Sequence, residues 1–280
     1  MVYTTRAASR EDAPLGGARL IPVPFPNKLR QHNLVAGCNP SFTAGALPWQ
    51  SLVRGCAGLI LTAALKLKGD FLTQSELMTV NVEVFYSFQS PYSYLALDPI
   101  YDIADKFDVE LLWQPFSAKA SGQPVPQQGI LPDKLSYLFE DTKRLAEERN
   151  LALVYPENWP EVEHDPGRLT RGALIANDLG VLMEYNIKVF NKWWGLGENP
   201  NEDSFMNELC DDLDIDLGDF LSKVSSSDTR ERVKGIYKRG RKLGVFDTPS
   251  FVFESGERIV GYDKIPYLAQ RLEKMGLRKK

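Results

Sequence analysis

The sequence predicts an α/β protein in which a small mixed sheet is divided by a long helical block. Three observations predict it. A β-branched, alternating run near residue 80 ends in a Ser-Pro junction that opens a helix; helical apolar spacing then holds from about residue 131 to 243; two short strands and a last helix close the chain.

Taken in order, Val80-Asn81-Val82-Glu83-Val84-Phe85-Tyr86 alternates in polarity and is rich in β-branched and aromatic residues, which is a strand pattern. Ser90-Pro91 starts a helix through about Phe107, because a proline in the first turn loses no helical hydrogen bond. Val109 to Pro115 reads as a second strand, completing a β-α-β unit whose strands pair in parallel through a right-handed crossover. Helices are expected at Lys134–Asn150, Arg171–Trp194, Asp203–Asp211, Leu217–Ser222 and Asp228–Leu243. Short strands at Pro249–Glu254 and Arg258–Val260 meet at Ser255-Gly256 as a hairpin, and a helix from about Lys264 to Met275 follows. A thioredoxin-like fold with a helical insertion domain has this order, with residues 80–280 as the domain and the insertion at about 131–243.

The first 79 residues differ in kind. Pro14, Gly16, Gly17, Pro22, Pro24, Pro26, Gly37 and Pro40 punctuate them too often for regular structure, so an irregular basic extension is expected. Residues 1–69 hold eight Lys/Arg against two acids, a balance of +6; the whole chain is −4, which leaves −10 on residues 70–280. An acidic body lacks the basic face that nucleic acid requires. The apolar run Cys56–Leu65 is half the roughly 20 residues that span a bilayer, so no transmembrane span is expected; segment 48–69 is read as docking amphipathically on the body, with contact to a membrane surface as the alternative. Cys38, Cys56 and Cys210 form no CxxC or metal spacing, and His32 and His164 are the only histidines, so neither a disulfide framework, a metal site nor a histidine-based triad is expected. A reducing cytoplasm follows from the cysteines, with the mitochondrion as alternative because of the basic start, MVYTTRAASR.

The chemistry centres on Ser90 and Ser93 at the mouth of the first helix. In thioredoxin-like proteins a C-x-x-C pair occupies this strand-to-helix turn, where the helix dipole and free backbone N–H groups stabilise a thiolate. Serine forms no disulfide, so dithiol exchange is excluded at this position, whereas an anion or a bound thiolate is still favoured there. Ser90 as a plain helix N-cap is the competing reading.

Phe88-Gln89-Ser90-Pro91-Tyr92-Ser93-Tyr94-Leu95-Ala96-Leu97 resembles the SPxSYLA motif of 2-hydroxychromene-2-carboxylate isomerases and kappa-class glutathione transferases, relatives of DsbA-type oxidoreductases. Lys134–Leu138 leading to Asp141 and Arg144, the segment Phe190–Gly195, the turn Gly244–Phe251 and Gly261–Lys264 resemble four further segments of that family, in family order. The resemblance covers about residues 80–275, and residues 1–79 match nothing in the family.

The resemblance implies a glutathione-dependent isomerase of the 2-hydroxychromene-2-carboxylate type, with glutathione as cofactor and a small aromatic-derived substrate, as in aromatic compound catabolism. By resemblance Ser90 donates a hydrogen bond to the glutathione sulfur, Thr248-Pro249 is a cis bond whose Thr248 backbone pairs with the tripeptide, Asp263 takes the γ-glutamyl ammonium and the Gln123 amide contacts ligand. Tyr92 and Trp194 line the pocket above the thiolate in this reading, or are core aromatics in the other; Asp263 has a second reading as N-cap of the last helix. Gln123 is one methylene longer than the family's asparagine, and Asp247 stands where relatives have a small glycine. A kappa-like transferase that releases a glutathione adduct and a non-catalytic thioredoxin-fold binding module are the alternatives, and a homodimer is expected by analogy alone.

Overall fold

The structure, a computed structural model, describes residues 17–23, 79–118, 121–122, 132–155 and 166–279. Gln123, the segment 48–69, Cys38, Cys56 and both histidines lie outside the described residues. Four strands form one sheet in the order β2-β1-β3-β4: β1 (Val80–Tyr86), β2 (Val109–Pro115), β3 (Ser250–Phe253) and β4 (Arg258–Val260). β1 and β2 run parallel, Val80 opposite Val109, while β3 is antiparallel to β1, Val84 opposite Phe251, and to β4.

The helices are α1 (Pro91–Lys106), α2 (Pro132–Glu148), α3 (Pro166–Asp178), α4 (Leu182–Phe190), α5 (Asp203–Asp212), α6 (Leu217–Ser225), α7 (Ser227–Lys242) and α8 (Ile265–Lys274). This is a thioredoxin-like fold, with α2 to α7 inserted between the β-α-β and β-β-α halves of the sheet domain.

Strand alternation assigns the layers. Val82 and Val84 point to one face, where they pack with Ala96, Ile100 and Ile103 of α1 and Ile265, Leu268 and Leu272 of α8. Phe85 and Val252 point to the other, against Ile236 and Leu243 of the α7 region. α7 is held there by Arg239, which donates two hydrogen bonds to Glu83 at 2.8 and 2.6 Å. Tyr86, at the end of β1, enters a third and larger core with Phe88, Tyr94, Tyr185, Phe190, Trp193 and Trp194. The insertion therefore has a hydrophobic core of its own, continuous with the strand end that carries Ser90.

One expected helix is broken. Instead of a single helix over Arg171–Trp194, α3 stops at Asp178, where Gly180 adopts φ 76° and the N–H groups of Gly180 and Val181 return to the Asn177 and Ala176 carbonyls at 3.0 and 2.9 Å. That is a glycine-terminated Schellman end, which apolar periodicity does not reveal. After α4 the chain widens into a π-helical turn, Asn191–Gly195.

Residues 17–23 join the same unit as the sheet. Arg19 pairs in parallel with Leu151, its N–H donating to the Asn150 carbonyl at 2.9 Å and its carbonyl accepting from Ala152 N–H at 2.8 Å. Ile21 is buried, and the Asn191 amide holds both its N–H, at 3.0 Å, and its carbonyl, at 2.8 Å. Among the described residues, no helix is long and apolar enough to cross a membrane.

Candidate functional site

Ser90 sits between β1 and α1 in extended conformation (φ −97°, ψ 114°) and is the N-cap of α1: its Oγ accepts from Ser93 N–H at 3.2 Å. The capping reading of Ser90 is therefore correct as far as it goes. The same hydroxyl also donates to the Thr248 carbonyl at 3.1 Å, across 158 residues of chain. That second bond joins the start of α1 to the loop before β3, where Thr248-Pro249 is a cis peptide as expected.

Each side of this junction is fixed by its own bonds. On the α1 side, Ser90 N–H donates to Ser87 carbonyl at 3.0 Å, and Ser93 Oγ accepts from Ser87 N–H at 3.3 Å. Ser93 is buried, so its role is to hold the turn. On the other side, Asp247 Oδ1 accepts from Thr248 N–H at 2.8 Å and Ser250 Oγ donates to the Asp247 carbonyl at 2.6 Å. Both backbone polar groups of Thr248 thus have partners: Asp247 on the N–H and Ser90 on the carbonyl.

Two aromatics of the sequence reading fall in different places. Trp194 is fully buried, and its Nε1 donates to the Phe88 carbonyl at 2.7 Å. It underpins the loop 87–90 from the insertion core, edge-on to Tyr155 with ring centres 5.6 Å apart. Tyr92 is half-buried in the first turn of α1, and its hydroxyl donates to Asp141 Oδ2 of α2 at 2.8 Å. Burial first, and then the hydrogen bond to Asp141, push the Tyr92 phenol well above its ordinary pKa, so it stays protonated at any physiological pH. Behind it Tyr155 and Thr142 share a short hydroxyl–hydroxyl bond, and burial pushes the Tyr155 phenol up to about 12.

Asp263 lies two residues beyond Gly261, whose N–H donates to the Pro249 carbonyl at 2.9 Å, so it stands at the same end of the hairpin as the cis peptide. It does not cap the last helix: the N-cap of α8 is Lys264, without a side-chain cap bond. Among the described residues the Asp263 carboxylate meets the neighbouring Lys264 ammonium, both side chains being exposed, which is a weak pairing open to competition. Phe246, 66 % exposed in the loop before Thr248, and Tyr137, 58 % exposed on α2, are large apolar side chains flanking these segments.

Ser90, Thr248 and Pro249 are thus brought together, Tyr92 adjoins them in the first turn of α1, and Trp194 supports them from below. Sequence reasoning missed the part played by Asp141 and by the Asp247 side chain. The Tyr92–Asp141 contact spans 49 residues, so no local spacing announces it. A separate hollow of 430 Å³ lies beside Asn81, Glu83 and Arg239, and its Glu83 and Arg239 side chains pair with each other.

Comparison with known proteins fits this geometry. The DSBA-like thioredoxin domain model matches residues 81–273. The chain is similar to the 2-hydroxychromene-2-carboxylate isomerase of Pseudomonas sp. (strain C18), 28% identical over 194 residues, which are 68% of this chain and 89% of the relative. It is similar also to the enzyme of the same name from Sphingobium xenophagum, 22% identical over 199 residues, 70% of this chain and 99% of the relative. Among solved structures, a 2-hydroxychromene-2-carboxylate isomerase superposes with a TM-score of 0.60 at 25% identity, covering 70% of this chain and 95% of that one. A probable DsbA oxidoreductase from Streptomyces coelicolor, at 0.58 and 16% identity over 72% of this chain and 92% of its own, shares the fold.

Proposed function

We propose, for a chain that belongs to the DSBA-like thioredoxin domain family, a glutathione-dependent isomerase activity of the 2-hydroxychromene-2-carboxylate type. The observation that carries the reading is the Ser90 hydroxyl, placed at the N-terminus of α1 and against the Thr248 carbonyl, where redox relatives of this fold have a cysteine. The position keeps the anion-stabilising setting of a helix N-terminus and lacks the thiol that disulfide chemistry needs.

The residues present fit glutathione. Ser90 would meet the sulfur, Thr248 the peptide backbone, and Asp263, free of any capping duty, the α-ammonium. Bound glutathione would supply a thiolate able to add reversibly to a conjugated carbon and so release rotation about a double bond. The chain's own part is to hold that sulfur ionised. Ser90 Oγ has one proton, given to Thr248 carbonyl in this structure, so donation toward sulfur requires the hydroxyl to turn from the carbonyl. Ser93 N–H remains on the Ser90 oxygen throughout and strengthens its O–H as a donor. Asp247 must likewise release the Thr248 N–H before that group can pair with an extended tripeptide. A reducing compartment, the cytosol in this reading, suits both reduced glutathione and the free, buried Cys210.

Titration of reduced glutathione into the protein, beside Ser90→Ala, tests the assignment. Binding weakened about tenfold or more by the loss of one charge-assisted hydrogen bond is the expected result. Turnover of 2-hydroxychromene-2-carboxylate should then depend on added glutathione and consume none. Equal glutathione binding and equal turnover in Ser90→Ala would overturn the role of Ser90, and a product that retains glutathione would make the protein a transferase instead.

A further inference from the structure

We infer that Asp141 is a positioning residue for Tyr92: by accepting the hydrogen bond of the Tyr92 hydroxyl it fixes the tyrosine oxygen as a hydrogen-bond acceptor for a hydroxyl group of the substrate. The inference rests on the isomerase reading for its substrate class, a hydroxylated aromatic-derived acid, and on the geometry for everything else.

Both carboxylate oxygens of Asp141 are occupied by donors. Oδ2 takes the Tyr92 hydroxyl at 2.8 Å; Oδ1 takes Arg144 Nη1 at 2.9 Å and stands 3.5 Å from the Tyr137 hydroxyl. A carboxylate only accepts and a guanidinium only donates, so in the Tyr92–Asp141 pair the tyrosine is the donor. A phenol has one proton and two lone-pair sites; with the proton directed to Asp141, what Tyr92 can still offer a ligand is acceptance. Arg144, one helical turn from Asp141 on α2, holds the carboxylate from its other side, so the acceptor direction does not depend on Tyr92 alone.

The placement gives the pair its use. Tyr92 is the second residue after Ser90, in the first turn of the helix whose N-terminus carries the candidate chemistry, and it is half-buried rather than enclosed. A partly buried acceptor of this kind discriminates, because an analogue that lacks the hydroxyl leaves the oxygen unpaired where the ligand excludes water. A mere staple between α1 and α2 would stabilise the fold equally and show no such discrimination.

The test is a pair of probes that differ by one hydroxyl, 2-hydroxycinnamate and cinnamate, titrated into the full-length protein with reduced glutathione present. The expected result is a preference for the hydroxylated acid of about tenfold. It should fall below about twofold in Tyr92→Phe and in Asp141→Asn, with no further loss when the two are combined, since both act on one hydrogen bond. Asp141→Glu should restore part of it. A wild-type protein without the preference, or an Asp141→Asn variant that melts lower but keeps it, would overturn the proposal. Should Asp141→Asn fail to fold, Tyr92→Phe carries the same comparison: a preference kept in Tyr92→Phe would also overturn it. Failure of the parent reading is seen separately, as absence of glutathione-dependent turnover with the hydroxyl preference intact.

Discussion

At the scale of single residues, Asp247 is the side chain that most restricts the candidate site. Its Oδ1 occupies the Thr248 N–H at 2.8 Å, a group that an extended peptide ligand needs. The cap is local and exposed, so it contributes little to the fold and competes directly with a ligand. Asp247→Ala should therefore tighten glutathione binding severalfold, by removing a competitor for one hydrogen bond, while moving stability by less than about 1 kcal/mol. Calorimetric titration and a urea melt on the same variant check both halves. Weaker binding in Asp247→Ala would mean that the carboxylate itself receives a ligand group.

At the scale of elements, α1 contains a proline in mid-helix and repairs the defect from outside. Pro99 has no N–H to give the Leu95 carbonyl one turn earlier, and Arg149, just past the end of α2, donates its Nη1 to that carbonyl instead. The same guanidinium pairs with Asp98 at 3.3 Å, and Asp98 also receives Arg19 of the N-terminal segment at 3.0 Å. Leu95 is fully buried, so its carbonyl has no water to fall back on. Arg149→Met should cost about 1–3 kcal/mol, the cost of an unsatisfied buried acceptor, with Arg149→Lys recovering part of it. The measurement is the urea midpoint at constant slope, and an unchanged midpoint would contradict the role. α7 shows the complementary device: at Gly240 an added Cβ would lie 2.7 Å from the Phe116 ring and 3.0 Å from Phe85, so only glycine lets this helix approach the sheet.

At the scale of the whole molecule, the insertion core is built on tyrosines, and this fixes how stability responds to alkali. Burial raises the phenols of Tyr86, Tyr94, Tyr101 and Tyr185 well above their ordinary value, and that of Tyr155 to about 12. Above pH ~10 the unfolded phenols lose protons that the folded ones keep, so the unfolded state binds fewer protons and stability falls as pH rises. The contribution is complete below pH ~10 and is lost through the range of the raised values. The melting temperature should hold from these groups' standpoint up to pH ~10 and then drop, as the unfolding free energy falls by up to about 1.4 kcal/mol per pH unit for each phenol. A melting temperature unchanged between pH 9 and 11 would contradict this account.

The strands, the Ser-Pro entry to α1, the closing hairpin and the thioredoxin-like order were legible in the sequence, because alternation, turn residues and helix starts are encoded within a few neighbouring residues. So was the presence of serine where a redox pair would stand. The break at Gly180 was not, because apolar spacing runs across it while the termination depends on one backbone dihedral. What only the tertiary structure decided is which groups meet: Ser90 with the Thr248 carbonyl, Tyr92 with Asp141, Trp194 with the Phe88 carbonyl and Asn191 with Ile21, contacts separated by 158, 49, 106 and 170 residues. The reason is physical. A local pattern sets the conformation of a segment, but the partner of a buried hydroxyl, amide or indole N–H is set by how the layers pack, since packing determines which polar groups lose water together and must satisfy one another.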